Sequence, residues 1–163
     1  MGVSATGKTV VGRRMAEDLG FEFVEGDELH PAANIEKMES GVPLTDGDRE
    51  PWLKAIAALV ADRDAEGVST VTTCSALRRP YRDLLRSATT ETFFVHLHAP
   101  FEVLEQRMQQ RTKHFMPTSL LHSQFDTLEP LGPDEAGVLV DVSPPLDAVV
   151  GEAVKAVREH YAL

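Results

Sequence analysis

A single cysteine, Cys74, stands in the 163 residues. No intrachain disulfide can form, and a reducing, cytoplasmic setting is the expectation. Long apolar runs are also missing. The longest, 55–61, falls far short of the ~20 residues that cross a bilayer, so no membrane partner is expected. Basic residues are outnumbered 16 to 26, which leaves a formal net charge of −10. That balance argues against a nucleic-acid partner, because phosphate backbones are bound by local positive charge. The six histidines give no convincing metal set. His96 and His98 alternate on one strand face, with no nearby cysteine or third histidine. No signal peptide is expected, since the sequence opens directly into a glycine-rich motif. There is no internal repeat and no low-complexity tail. What remains is an ordinary globular composition, 42% hydrophobic and 26% charged, in a length that suits one domain, 1–163.

The most constrained stretch is Gly2-Val3-Ser4-Ala5-Thr6-Gly7-Lys8-Thr9, which matches G-x-x-x-x-G-K-[ST]. Glycines at both ends let backbone N–H groups turn inward around phosphate oxygens. Lys8 supplies a point charge for the β- and γ-phosphates, and Thr9 a hydroxyl for Mg²⁺. An amphipathic helix follows, with Val10, Val11, Met15 and Leu19 spaced for one buried face. Such a loop ordinarily follows a strand, yet only Met1 stands before Gly2. The expectation is that this first strand is missing from the sequence as given. Met1 would then be an internal methionine treated as the start, or the first residue after a trimmed strand.

Helical and strand patterns alternate along the rest of the chain. Helices are expected over 8–19, 32–40, 49–66, 80–87, 101–111, 119–127 and 146–161, and strands over 21–25, 69–73, 92–97 and 138–142. Asp48 is a plausible N-cap for the third helix, with Pro51 tolerated in its first turn. Alternation of this kind means right-handed crossovers and a mostly parallel sheet covered on both faces, a three-layer α/β/α fold. Ligands then gather at the carboxyl ends of the strands.

Several residues there can carry chemistry. Asp27 follows the strand 21–25 and is the candidate proton acceptor for a substrate hydroxyl; the competing role is a turn-forming helix cap. Glu25, or Asp27 itself, is a possible partner to metal-bound water. His30, in the same loop, is a candidate hydrogen-bond partner for substrate. Arg49 starts a helix, where the macrodipole disfavours a cation, so it either faces an anion or pairs with Asp46 or Glu50. Trp52 reads as core or pocket wall. Arg79 has Asp83 at i+4, whereas Arg78 and Arg82 share a face with no local acid, which suggests an external anion or a solvated basic face. Arg107 and Arg111 also lack local carboxylates. With the polar hinge Thr112-Lys113-His114 they read as a flap over transferring phosphate, against distant salt bridges as the plainer alternative.

These segments together resemble the gluconokinases, small phosphate-loop kinases related to shikimate and nucleoside-monophosphate kinases. The resemblance spans nearly the whole chain. It rests on Gly26-Asp27-x-Leu29-His30-Pro31-x-x-Asn34-x-x-Lys37-Met38 and on Gly41-x-Pro43-Leu44-x-Asp46-x-Asp48-Arg49-x-Pro51-Trp52-Leu53. It continues in Cys74-Ser75-Ala76-Leu77-Arg78-x-x-Tyr81-Arg82-Asp83, His114-Phe115-Met116-Pro117 and Leu120-Leu121-x-Ser123-Gln124-Phe125-x-Thr127-Leu128-Glu129. The resemblance implies ATP- and Mg²⁺-dependent phosphorylation of D-gluconate at its 6-hydroxyl, giving 6-phosphogluconate and ADP and feeding the pentose phosphate pathway. It implies a helical lid over about 107–129 and a homodimer. By the same token Asp27 would hold or deprotonate the hydroxyl. Arg49, Arg78, His30 and Gln124 would meet the acceptor, Arg107 and Arg111 would close over the γ-phosphoryl, and Pro144 would border the adenine. The loop interior departs from the family's small pairs with Ala5-Thr6, a change that leaves the backbone amides in place. Two alternatives are carried forward: a kinase for another small hydroxy acid or a nucleotide, and a truncated, inactive nucleotide-binding protein.

Overall fold

The computed structural model describes residues 1–89, 91–110 and 117–163. Its elements run α1 (Lys8–Leu19), β1 (Glu22–Glu25), a 3₁₀ turn (Gly26–Leu29), α2 (Ala32–Glu39), α3 (Asp46–Ala65) and β2 (Thr70–Thr73). Then follow α4 (Arg79–Arg86), β3 (Phe94–His98), α5 (Phe101–Gln109), α6 (Ser119–Thr127), β4 (Gly137–Asp141) and α7 (Leu146–Tyr161). Every expected element forms, with ends shifted by a few residues.

One boundary moves for a clear reason. The third helix begins at Asp46, three residues before the expected start, and its cap is Thr45 rather than Asp48. The Thr45 hydroxyl accepts from the Asp48 N–H at 3.1 Å, and the Asp48 carboxylate accepts from the Thr45 N–H at 2.9 Å. This reciprocal box satisfies two end donors at once and outweighs a start nearer the proline. Pro51 therefore sits past the first turn, inside the helix.

β1 and β2 pair in parallel from Glu22↔Thr70 to Glu25↔Thr73, and β3 and β4 from Phe94↔Gly137 to His98↔Asp141. The mostly parallel arrangement stands, but as two two-stranded ladders. Met1 and Gly2 lie between them. The Met1 nitrogen donates to Val95 O at 2.6 Å, its carbonyl accepts from Leu97 N at 2.9 Å, and Gly2 N donates to Ser75 O at 3.1 Å. Helices cover both faces. On one, Val11 and Met15 of α1, Leu104 of α5 and Val150 of α7 pack against Leu97 and Val140. On the other, Trp52, Leu53 and Ile56 of α3 and Tyr81 of α4 pack against Phe94. The strands thus carry a core on each side, and their carboxyl ends come together at the glycine-rich loop.

Candidate active site

The loop before α1 has the geometry of an anion cradle. Gly2, Ala5 and Gly7 all take positive φ, at 143°, 69° and 85°. A Cβ at Gly2 would lie 2.5 Å from Leu97 O, so only glycine lets the loop pass β3 this closely. α1 begins without a side-chain cap and without an acidic residue in its first turn. Its first N–H groups and the positive end of its dipole therefore face the loop. Lys8 folds back over the loop, donating to Gly2 O at 3.1 Å and Val3 O at 2.9 Å. The Thr6 hydroxyl donates to Val3 O at 3.0 Å and braces the interior from within.

Oxygen donors flank this cradle. The Thr9 hydroxyl donates to Glu25 Oε2 at 2.5 Å, and Thr73 donates to Glu25 Oε1 at 2.5 Å. A hydroxyl and a carboxylate side by side form an oxygen-only set that fits Mg²⁺, which keeps most of its waters and takes few protein ligands. The role of Thr73 is one the sequence did not signal: its hydroxyl anchors Glu25 and also accepts from Gly26 N at 3.1 Å.

Gly26 brings the acceptor side close. A Cβ there would fall 1.9 Å from Thr73 O, so the chain can turn at the end of β1 only with glycine. The Gly26 carbonyl accepts from Trp52 Nε1 at 2.7 Å. Asp27, the next residue, lines a cavity of about 60 Å³ together with Lys8, Ser4, His30, Arg49 and Gln124. Trp52, 1% exposed, forms a wall, and His30 stacks on it with ring centroids 3.9 Å apart. Burial first, and the Arg49 charge second, push His30 down to about 4, so its ring is neutral near pH 7. Asn34 lies 3.2 Å from His30 Nδ1 and donates to Asp48 O at 2.8 Å, tying the loop to α3. From α6, Gln124 reaches across and accepts from Ser4 N at 2.6 Å.

The arginines divide into two groups. Arg49 reaches the cavity and donates to the Tyr81 hydroxyl at 3.0 Å, while Tyr81 bonds to Asp46. Neither Asp46 nor Glu50 takes Arg49 directly; Glu50 pairs with Lys54. Arg78 is held by Asp46 at 3.0 Å and Glu129 at 3.0 Å. Arg82 is fully buried, pairs with Glu135 at 2.7 Å and donates to Ala76 O at 2.9 Å. The expectation that Arg78 and Arg82 jointly face an external anion is therefore corrected: tertiary folding supplies carboxylates that lie 32 to 53 residues away in sequence. Arg79 pairs with Asp83, as its spacing suggested, and also with Asp134.

Arg107 sits in the last turn of α5 and donates to Val142 O at 2.8 Å, in the stretch that leads past Pro144 into α7. It is fixed to that loop and does not line the cavity beside Asp27. Arg111, Lys113 and His114 lie outside the described residues.

The sequence compares with known proteins as this geometry leads one to expect. The family model described as an AAA domain matches residues 1–131. The chain is 44% identical to the thermoresistant gluconokinase of Escherichia coli over 98% of its own length and 91% of that protein's. With the gluconokinase of Gluconobacter oxydans the identity is 46%, covering 95% and 87%. The crystal structure of a gluconokinase from Sinorhizobium meliloti superposes with a TM-score of 0.89 at 48% identity, over 98% of this chain and 90% of that one. The chain belongs to the gluconokinase family. Shikimate kinase from Aquifex aeolicus shares the fold alone, at a TM-score of 0.65 and 18% identity. The glycine-rich loop and the cavity beside Asp27 adjoin each other within this kinase fold, through Lys8 and Ser4.

Among the residues that the sequence pointed to, Ser4, Lys8, Asp27, His30, Arg49 and Gln124 meet around one cavity. Arg78, held by Asp46 and Glu129, does not line it, and Arg107 sits at the α7 loop. Tyr81 and Glu129 carried no role in the sequence reading, and Asp46 was weighed only as a partner of Arg49. Their function as arginine holders depends on partners far along the chain, and no spacing rule reports such pairs.

Proposed function

We propose that this protein transfers the γ-phosphoryl group of ATP to the 6-hydroxyl of D-gluconate, giving 6-phospho-D-gluconate and ADP. The observation that carries the reading is the convergence of Lys8, Ser4 and Asp27 with Arg49, His30 and Gln124 on a single cavity. A phosphate cradle and an acceptor pocket share one wall there.

The roles follow from that placement. The loop amides and Lys8 hold the β- and γ-phosphates. Thr9, with Glu25 through water, would hold Mg²⁺, which when bound would supply positive charge to the β- and γ-phosphates. Asp27 accepts the proton of the 6-hydroxyl as its oxygen bonds to the γ-phosphorus and the bond from that phosphorus to the β–γ bridging oxygen breaks. Arg49, fixed by Tyr81, receives the gluconate carboxylate. Neutral His30, held flat on Trp52, bonds to a hydroxyl of the sugar acid. Arg78 meets the acceptor only by exchanging Asp46 or Glu129, so its main task is to hold Asp46. Arg107 and Pro144 frame the adenine side. The lid helix α6 supplies Gln124 to the wall, and its movement admits substrate. With little covalent work to do, such a site accelerates transfer by positioning and by charge stabilisation. The reading extends to a cytoplasmic homodimer.

A coupled assay of ADP release over a panel of sugar acids tests the reaction. Gluconate is expected to give the highest kcat/KM. Turnover with a different hydroxy acid and none with gluconate would overturn the acceptor. No turnover with any acceptor, in a folded protein, would favour an inactive nucleotide binder.

A further inference from the structure

Asn34 is a buried polar side chain beside His30 to which the roles above assign nothing. It lies in the first turn of α2 and is 4% exposed. An amide buried this deeply keeps its hydrogen bonds or costs stability. Its Nδ2 serves two neighbours, donating to Asp48 O at 2.8 Å and standing 3.2 Å from His30 Nδ1.

These two contacts fix each other. A peptide carbonyl only accepts, so the amide atom 2.8 Å from Asp48 O is the nitrogen and not the oxygen. Asp48 is itself held firmly, by the capping box with Thr45 and by Lys37 at 2.8 Å. The amide nitrogen carries two hydrogens. One goes to Asp48 O, and the other meets His30 Nδ1. A proton on Nδ1 would set donor against donor. Nδ1 therefore stays bare, and in the neutral ring the proton sits on Nε2. Burial and Arg49 already disfavour a charged ring. The Asn34 contact adds a reason that rests on geometry alone.

The ring is held in this orientation. Its plane is set by the stack on Trp52, 15° from parallel, and Trp52 is anchored to Gly26 O. Turning the ring over would put a carbon against the amide and leave its second hydrogen without an acceptor. Among the described residues, His96 Nδ1 is the one buried side-chain nitrogen or oxygen without a partner. His30 Nε2 takes no hydrogen bond from those residues either, so it is accessible, on a residue that lines the cavity.

We infer that Asn34 is a positioning residue that fixes His30 as an Nε2–H donor, so that the pocket at this point reads an oxygen with a free lone pair. The inference rests on the sugar-acid pocket proposed above and adds to it a rule of selection. A hydroxyl or carboxylate oxygen satisfies the donor. An ammonium in the same place meets donor with donor, so the pocket favours a hydroxy acid over its amino counterpart.

¹⁵N NMR of the labelled 163-residue chain, free of substrate and near pH 7, reads the tautomer directly, with His30→Gln assigning the signal. His30 is expected to show a pyridine-type Nδ1 and a pyrrole-type Nε2. The reverse pattern, or a mixture of both, would overturn the inference. Asn34→Asp puts a carboxylate oxygen at Nδ1 and should give Nδ1 the proton. An unchanged pattern in that variant, once folded, would overturn it as well; should the variant not fold, the spectrum of the unaltered protein decides. Kinetics give a second arm. Asn34→Leu should raise the gluconate KM by ~2–13-fold, the range of one neutral hydrogen bond, with kcat within a few-fold of the parent. In a His30→Leu background the same change should add nothing, because Asn34 acts through the ring. Additive effects would make Asn34 a scaffold residue and overturn the inference. The spectrum involves no substrate, so it stands whichever acid is phosphorylated. The expected spectrum without gluconate turnover would strike the proposed reaction alone.

Discussion

The phosphate side and the acceptor side of this cavity are built in opposite ways. The phosphate side is local: one loop of eight residues and the start of one helix supply the amides, the lysine and the hydroxyl. Its shape follows from glycines at fixed offsets and an uncapped helix end. The acceptor side is assembled from the 3₁₀ turn after β1, the start of α3, Ser75 and Leu77 on either side of Ala76 with its positive φ, and α6. Pairs such as Arg78–Glu129 and Arg82–Glu135 hold it together across some fifty residues of sequence. Phosphate binding can therefore be encoded in a short motif, whereas acceptor choice needs the whole domain. A substitution far from the cavity is expected to disturb the acceptor side first.

The largest effect should come where the two sides meet. Asp27→Asn is expected to lower kcat by ~10²–10⁴-fold, the usual worth of a positioned general base, with the ATP dissociation constant within a few-fold of the parent. Steady-state kinetics alongside nucleotide titration check this, and a near-normal kcat would remove Asp27 as base. Next comes the scaffold of the acceptor side. Glu135→Gln leaves Arg82 buried without its counter-charge, and should cost ~3–5 kcal/mol in denaturant unfolding. The fraction that stays folded should keep its ATP affinity and lose affinity for gluconate. Loss of ATP binding instead would show that the two sides are not separable.

Acid should act on the same scaffold. His30 and His96 are each pushed down to about 4, chiefly by burial. The unfolded chain takes up these protons first, so stability is full above about pH 6.5 and falls as pH drops toward 4. Glu135, held down to about 2 by Arg82, continues the loss below the ordinary glutamate value of 4.5. Unfolding free energies measured from pH 8 to 3 should decline in that order. A flat curve between 6.5 and 4.5 would contradict the buried, neutral state of the histidines. The smallest effect is expected at Gln124. Gln124→Ala should raise the gluconate KM by ~2–13-fold, the range of one neutral hydrogen bond, and leave the ATP KM no higher. A rise confined to ATP would move Gln124 to the phosphate side.

This division also explains what could be read in the sequence. α1 over 8–19, α6 over 119–127 and α7 over 146–161 were legible to the residue, because apolar spacing and a glycine or proline boundary coincide there. The start of α3 was misplaced, since the Thr45–Asp48 box competes with a proline that looks like a first-turn residue. Lys8, Thr9 and Asp27 were legible because loop chemistry restricts them locally. Arg82 was not, for its partner Glu135 is fifty-three residues away and buried beside it only in the fold. Thr73 was invisible for the same reason: a short β-branched strand does not announce that one hydroxyl will brace Glu25.

Direct observation of the product tests the central claim, that one cavity joins an ATP cradle to a gluconate pocket. The purified protein, incubated with ATP, Mg²⁺ and D-gluconate, should yield by ³¹P NMR a phosphomonoester signal coupled to the two protons of a single methylene group. That pattern identifies phosphate on the 6-oxygen. A signal coupled to one methine proton, or phosphate appearing only as inorganic phosphate and ADP, would contradict it.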